Sequence, residues 1–328
     1  MERLKATAAE YAKHVKEDDS FDLPISTISP DTGLTELWQY LSQQDTQIET
    51  DREVLEKLIV LNIYLNSRPQ LELDGDDETQ VWDAICQWTS DHIIPDEGFA
   101  RVWSEVKLET DISKQQSILS SHRTSRIRYS AGVHALKRLN SKLTIANINH
   151  KVQVIATLAA YASCPNDETA SIETPWATSS SNRCARELLI EIEQASQGRL
   201  PDFGQAVILA IEKGVIKPVF VRNRSDAITS EGRKREFPIQ RPRFDSSLFS
   251  EEKTPWKKEA IWVVSVLEWV SRWYETQPLN VLEGDLPLLI PAVLSLLDDS
   301  TLTFKAKGQI WMMSSLMLSD HVYFICLR

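Results

Sequence analysis

Apolar residues recur at helical spacing along most of the chain. The clearest stripe lies in 51–66 and comprises Leu55, Leu58, Ile59, Asn62, Ile63 and Leu65. A first short helix carries Leu4, Ala8, Tyr11, Ala12 and Val15. Similar spacing predicts helices over 34–41, 78–94, 98–108, 131–143, 150–163, 183–195 and 203–213. Only Lys217–Val221 could be extended, and one isolated segment does not make a sheet. We therefore predict an all-α protein.

The C-terminal part of the chain has the most distinctive pattern. A Trp-rich helix is predicted from Trp256 to Tyr274, and the next apolar face comprises Leu289, Val293, Leu296 and Leu297. Pro291 predicts a kink or a helix that starts there, because proline lacks an amide donor. Asp298 and Asp299 are expected to end this helix and to cap the following one. The next apolar positions are Phe304, Ala306 and Ile310, flanked by Lys305 and Lys307.

This order of proline, paired aspartates and lysine is typical of a HEAT-type helix pair, a unit that repeats every 40 to 47 residues or so. A basic residue after the turn can reach an aspartate of a neighbouring repeat. The alternative is an unrelated amphipathic helical hairpin. We predict a HEAT-like α-solenoid of stacked antiparallel helix pairs, in which the 10 tryptophans fill space between layers.

Three regions are expected: an N-terminal helical repeat region (1–221), a basic insertion (222–254) and C-terminal HEAT-like repeats (255–328). The insertion has little periodicity and carries Arg222, Arg224, Arg233, Lys234, Arg235, Arg241 and Arg243. It is interpreted as a flexible solvated loop, with a nuclear import signal or a contact to an acidic partner as alternatives.

Composition and charge restrict the function classes. A formal net charge of −11 disfavours binding to nucleic acid or to an anionic membrane. The cysteines Cys86, Cys164, Cys184 and Cys326 are far apart, which predicts reduced thiols in a cytoplasmic or nuclear protein. The N-terminus lacks a secretory apolar segment, and the run 310–326 is interrupted by polar residues, so no membrane anchor is predicted.

No motif for catalysis or for a cofactor was found. The chain lacks phosphate-binding glycine loops and nucleophile motifs, and its six histidines have no metal-ligand spacing. The acidic run 73–78 lacks the ligand order of a calcium loop and is expected to cap a helix. An all-α enzyme of the terpene type would need a D-D-x-x-D motif, which Asp298 and Asp299 do not provide. We predict no enzyme activity, no cofactor and no metal.

The stretch 237–311 resembles a known family. Its tryptophan-rich segment, the leucines and prolines that follow, the Asp-Asp pair and Lys305-Ala306-Lys307-Gly308 are similar to the family of the second Tel-two-interacting protein. This family is the small HEAT-repeat subunit of the TTT co-chaperone complex. The segment Phe237–Phe244 resembles fungal members. The resemblance implies a non-catalytic adaptor that binds the larger HEAT-repeat subunit. Through the heat-shock chaperone machinery, its complex matures phosphatidylinositol-3-kinase-like kinases.

An adaptor needs a contact surface, for which five residues were singled out: Trp256, Trp269, Asp298, Asp299 and Lys305. The two tryptophans lie off the centre of the predicted apolar stripe and are expected to be exposed anchors. A generic HEAT adaptor, such as one in nuclear transport, is the competing interpretation. The apolar tail 319–328 is not the polar capping helix that ends a solenoid, which indicates a truncated or mis-spliced C-terminus.

Overall fold

The computed structural model describes residues 1–22, 33–43, 49–68, 75–142, 148–162, 174–196, 203–221, 255–277, 279–299 and 301–318. These residues form helices joined by short turns and contain no β-strand. The all-α prediction is confirmed. The basic insertion 222–254, Cys164, Cys326 and the tail 319–328 lie outside the described residues.

Chain contacts divide the protein into two compact units. The N-terminal unit comprises Met1–Pro95 and Arg101–Val207, and the C-terminal unit comprises Asp96–Ala100 and Ile208–Arg328. The first ten helices are α1 (Glu2–Ala12), α2 (Leu34–Ser42), α3 (Asp51–Asn66), α4 (Asp76–Ile93), α5 (Gly98–Leu108), α6 (Ile112–Ser121), α7 (Arg123–Lys142), α8 (Ile148–Ala162), α9 (Ser179–Ser196) and α10 (Phe203–Ile211).

The C-terminal unit continues from α10 with a π-helix (Glu212–Ile216). It is followed by α11 (Lys217–Val221), α12 (Pro255–Glu259), α13 (Val263–Glu275), α14 (Leu279–Leu297) and α15 (Leu302–Leu318). Helix α14 packs against α11, the π-helix and α15, and α13 packs against the π-helix and α15. The predicted helix pair around Asp298 and Asp299 is thus present as α14 and α15.

Helix α3 shows how local sequence signals set a boundary. Thr50 is the N-cap: its hydroxyl accepts a hydrogen bond from the Glu53 amide at 3.3 Å, and its own amide donates to Glu53 Oε2 at 2.7 Å. This reciprocal pair satisfies donors that have no partner within the helix. The helix spans Asp51–Asn66, as its apolar stripe predicts.

Helix α3 packs mainly against α7 through a core that includes polar atoms. Asn62 is fully buried, and its amide donates to Leu58 O at 2.8 Å and to Ala131 O at 2.9 Å. Its side-chain oxygen accepts a hydrogen bond from Arg138. A buried amide of this kind must be hydrogen-bonded, and here it links two helices.

One helix start, one whole helix and one segment differ most from the predictions, and several other helix ends shift by one to four residues. Helix α7 begins at Arg123 rather than at 131, because the polar residues of its first turns find partners: Arg126 is buried and bonds to Glu17 Oε2 at 2.7 Å. Helix α6 (Ile112–Ser121) was missed, since it buries only Leu119 and so has no apolar stripe. The extended segment considered for Lys217–Val221 is wrong, because it is helical and buries Phe220.

The predicted single helix from Trp256 to Tyr274 is also wrong, since it divides into α12 and α13 at Ala260–Trp262. Trp256 and Ile261 are both buried. On a continuous helix, residues five apart point about 140° from each other. The interruption therefore allows both side chains to enter the core.

Glycine allows the two helices of the C-terminal pair to approach closely. A Cβ atom on Gly308 of α15 would lie 3.1 Å from Leu297 Cγ and 3.2 Å from Leu296 Cβ of α14. The Lys-Ala-Lys-Gly order at the start of α15 therefore has a packing role at its fourth position.

Cys86 and Cys184 are free and buried. In the part of the chain that the structure describes, no helix is long and apolar enough to cross a membrane.

Candidate functional site

One face of α14 presents an exposed apolar stripe, which we call the α14 stripe. It consists of Pro287, Ile290 and Leu294, with Ile290 36% and Leu294 50% exposed. The exposed acids Glu283 and Asp298 lie at its two ends. The spacing of three or four residues places all five on one side of the helix. The stripe is therefore an apolar strip bounded by negative charge.

The opposite face of α14 forms the core of the C-terminal unit. Its buried residues are Leu282, Leu289, Ala292, Val293 and Leu296. Helix α14 packs through this face against α11, the π-helix and α15. The α14 stripe is an additional apolar surface that this core does not use. Exposed apolar strips of this kind are typical of surfaces that bind another protein.

Two prolines lie within α14. The helix continues through Pro287 and Pro291, so of the two alternatives predicted for Pro291 the helix start is wrong, and the kink stays a prediction. Each proline lacks the amide that would donate to the carbonyl four residues earlier. The helix is retained because its apolar face is buried along its length, and packing outweighs the loss of two hydrogen bonds.

A groove of about 110 Å³ lies between α13 and α15. Apolar atoms of Val264, Leu267, Leu296, Ile310 and Trp311 line it. The volume suits one inserted side chain and is below the range of typical small-molecule pockets, about 300 Å³ or more. The groove is thus suited to a protein contact.

Ion pairs neutralise much of the charge at the rim of this groove. Glu268 Oε1 lies 2.8 Å from Arg272, and Glu268 Oε2 lies 2.7 Å from Lys307. This pairing fixes α13 to α15 across the groove. The exposed Glu275 adds a negative charge at the rim.

The predicted contact residue Trp256 is buried rather than exposed. It is 1% exposed, and its ring centroid lies 5.4 Å from that of Phe220 and 4.8 Å from that of Phe304. The expected exposure of this side chain is wrong, because the position that is off the stripe of α13 belongs to the separate helix α12. Trp256 is a core residue of the C-terminal unit.

The two aspartates have different environments. Asp299 is buried: its carboxylate lies 2.6 Å from Lys257 and accepts a hydrogen bond from the Thr301 amide at 2.7 Å. This amide belongs to the residue before α15, so Asp299 stabilises the turn that precedes the helix and does not cap its first turn. The basic partner is Lys257 rather than Lys305 or Lys307. Asp298 is exposed at the end of the α14 stripe.

The five predicted contact residues do not form one surface. Asp298 borders the α14 stripe, whereas Trp256 and Asp299 are interior. Trp269 and Lys305 are half-buried. Sequence reasoning missed Ile290 and Leu294, although their spacing carried the signal. Helix α14 is apolar on two sides, and the predicted apolar face covers only the buried side.

A second, polar pocket of about 380 Å³ lies in the N-terminal unit. Among its lining residues, Arg138 pairs with Asp22 at 2.7 Å and Lys137 with Glu187 at 2.6 Å. Burial lowers the pKa of His134 to about 4 and raises the pKa of Cys184 to about 12. The Cys184 thiol is therefore protonated at neutral pH and is a poor nucleophile.

Metal-ligating side chains do not cluster either: no group of three or more His, Cys, Asp or Glu that could hold an ion occurs within the described ranges. The acids of the run 73–78 that the structure describes, Asp76, Asp77 and Glu78, lie in the first turn of α4. There they interact favourably with the helix dipole. The N-cap is Gly75 and no side-chain hydrogen bond caps the helix, so the predicted capping is not seen in the described residues.

Comparison with known proteins finds a family match for part of the chain. The model of the Tti2 family matches residues 154–312, close to half of the chain. This match includes α12, α13, α14 and the groove. Searches of curated proteins and of solved structures gave no match. Over residues 154–312 the chain therefore matches the Tti2 family, the family of the second Tel-two-interacting protein.

Proposed function

We propose that this protein is a non-catalytic scaffold subunit of the TTT co-chaperone complex and that it binds the larger HEAT-repeat subunit. The α14 stripe is the observation that carries the proposal. It lies within the family match and exposes Ile290 and Leu294 on a helix whose opposite face is buried. The family match over residues 154–312 supports a role as a TTT subunit.

The proposed architecture is a HEAT-like stack of helix pairs. Its support is the pair α14 and α15, with Asp299 in the turn between them and a lysine from α12 paired with it. In HEAT repeats each pair buries one face against the next pair. A stack would present its outer helices, including α14, along one edge.

The partner element that fits the α14 stripe is a helix with an apolar face and basic residues at both ends. Its apolar side chains would cover Pro287, Ile290 and Leu294, and its basic residues would face Glu283 and Asp298. Stable interfaces bury about 1,600 Å² in total. One helix face is smaller than that, so the groove between α13 and α15 is proposed to take part as well.

The role in the cell follows from this binding. We propose that the subunit acts stoichiometrically in the cytoplasm and nucleus and supports the maturation of phosphatidylinositol-3-kinase-like kinases through the complex. Contact with these kinases and with the heat-shock chaperone machinery is indirect. Neither nucleic acid nor membrane is a proposed partner, given the net charge of −11.

Affinity purification of the tagged full-length chain from its native cells, with mass spectrometry of the bound proteins, tests the proposal. We expect a large HEAT-repeat subunit in near-stoichiometric amount, together with kinase-like clients. Recovery of nuclear-transport receptors instead would support the generic adaptor interpretation. Recovery of the chain alone would contradict the scaffold function.

A further inference from the structure

Three oxygen-bearing side chains from three elements meet in the core of the C-terminal unit. They are Glu212 of the π-helix, Tyr274 near the end of α13 and Asp285 of α14, and all three are buried. Tyr274 Oη lies 2.8 Å from Glu212 Oε1 and 3.0 Å from Asp285 Oδ2. We call this group the acid–tyrosine cluster. The helical scaffold proposed above does not use it.

The number of protons in this cluster follows from its geometry. A tyrosine hydroxyl has one hydrogen and can donate it to one of the two carboxyl groups. The other short contact is a hydrogen bond only if that carboxyl group is itself protonated and donates to the Tyr274 oxygen. The cluster therefore contains one proton more than two ionised carboxylates would have.

Glu212 is the better candidate to hold this proton. It is 0% exposed, and its Oε2 atom has no hydrogen-bond partner within the described residues. A buried charge with an unsatisfied oxygen is costly, whereas a neutral acid is much less so. Burial is the largest effect and raises the pKa of Glu212 to about 8, although the hydrogen bond with Tyr274 lowers it. The charge of Asp285 raises the pKa as well, and Lys213 lowers it.

The charged residues around the cluster do not account for an ionised Glu212. The other described charged residues on the elements packed against the π-helix are Lys217, Glu268, Arg272, Glu275 and Glu283. Lys217, Glu275 and Glu283 are exposed, and Glu268 pairs with Arg272. Lys213 is exposed as well. None of these is hydrogen-bonded to Glu212 in the contacts described, so no buried cation is available to stabilise its ionised form.

We propose that one resident proton locks the C-terminal unit: neutral Glu212 donates to Tyr274, and Tyr274 donates to Asp285. This hydrogen-bonded chain joins the π-helix, α13 and α14. Loss of the proton places a second negative charge in the cluster and breaks the bond between Glu212 and Tyr274. The device is thus a pH-sensitive clamp. It acts close to the proposed binding surface, since Pro287 of the α14 stripe lies two residues after Asp285. π-Helical turns are frequent at functional positions.

The direction of the pH effect follows from the raised pKa. Unfolding exposes Glu212, which then ionises near its ordinary value of 4.5. The stabilisation is complete below that pH and is lost as pH rises to about 8. Between pH 6 and pH 8, this one group should reduce the equilibrium constant for folding of the unit roughly 50-fold.

Amide hydrogen exchange of peptides from α13 and α14 in the full-length protein measures this effect. E212Q retains an N–H donor for Tyr274 but does not titrate, and E283Q is the matched control on the exposed side of α14. At equal pH, the ratio of wild-type to E212Q exchange rates should rise roughly 50-fold from pH 6 to pH 8. The ratio of wild type to E283Q should stay constant. A constant wild-type to E212Q ratio would overturn the proposal.

A second measurement does not depend on the folding of any variant. Infrared titration of the wild-type protein should show the carbonyl band of a protonated carboxylic acid at pH 7, and the band should disappear with a midpoint near pH 8. Absence of this band at pH 7 would mean that Glu212 is ionised, and the lock would be refuted. The proposed binding of the larger subunit is independent of both results.

Discussion

Lys257 Nζ lies 2.6 Å from Asp299 Oδ2 and connects the short helix α12 to the turn between α14 and α15. The Asp299 side chain is almost fully buried, and the ammonium group also lies 5.4 Å from the centre of the Phe304 ring. This ion pair joins two sequence-distant parts of the C-terminal unit. A buried carboxylate that has both a cation and a backbone donor is a structural residue.

The adjacent aspartates provide a matched test of this assignment. D299N removes the charge that Lys257 requires, so we expect the free energy of unfolding to fall by about 2 kcal/mol. D298N changes an exposed side chain and should alter stability by less than about 0.5 kcal/mol. Urea unfolding followed by circular dichroism measures both. Equal stability of the two variants would contradict the structural role of Asp299.

Alanine substitutions of the two tryptophans predicted as contact residues should differ in their effects on stability and on binding. W256A leaves a cavity between Phe220 and Phe304 and is expected to cost about 3 to 5 kcal/mol of stability. W269A changes a half-buried side chain and is predicted to weaken assembly of the complex more than folding. Thermal unfolding combined with co-purification of the larger subunit distinguishes the two. Unchanged co-purification with W269A would refute its contact role.

Replacing a glycine by alanine should lower stability at a helix crossing and raise it on a helix surface. A Cβ atom on Gly132 of α7 would collide with Ile93 Cγ2 and lie 3.3 Å from Ile93 Cβ. G132A should therefore destabilise the protein by about 1 to 3 kcal/mol. Gly284 of α14 has no neighbour within 4 Å of such an atom. G284A should stabilise by about 0.5 to 1 kcal/mol, because alanine favours helix. A neutral G132A would contradict the close approach of α7 to α4.

The apolar pattern of the sequence predicts the positions of most helices, because the apolar faces of these helices are buried. Helices α3 and α5 begin and end where the pattern predicts. The pattern failed where burial involves polar groups. The N-terminal turns of α7 bury Arg126, whose partner Glu17 is more than 100 positions away. Such a contact is decided by tertiary packing, which spacing along the chain does not report. Asn62, included in an apolar stripe, is in fact a hydrogen-bonding residue.

The candidate site was only partly predictable for a related reason. Helix α14 is apolar on two sides, and sequence alone does not say which side the unit covers. Only Asp298 of the predicted residues borders the exposed side. Burial of Trp256 depends on the interruption at 260–262, for which no proline or glycine gives a signal. The acid–tyrosine cluster joins residues 212, 274 and 285, and their meeting requires the packing of three elements.

Binding of the purified chain to the purified larger HEAT-repeat subunit tests the central claim most directly. The double variant I290Q/L294Q makes the α14 stripe polar while retaining residues that favour helix. We predict that it raises the Kd at least tenfold at unchanged thermal stability. The control L108Q alters a side chain on α5 that is 82% exposed and is not part of the stripe, and it should bind like wild type. Wild-type affinity of a folded I290Q/L294Q protein would contradict the assignment of the α14 stripe as the binding surface.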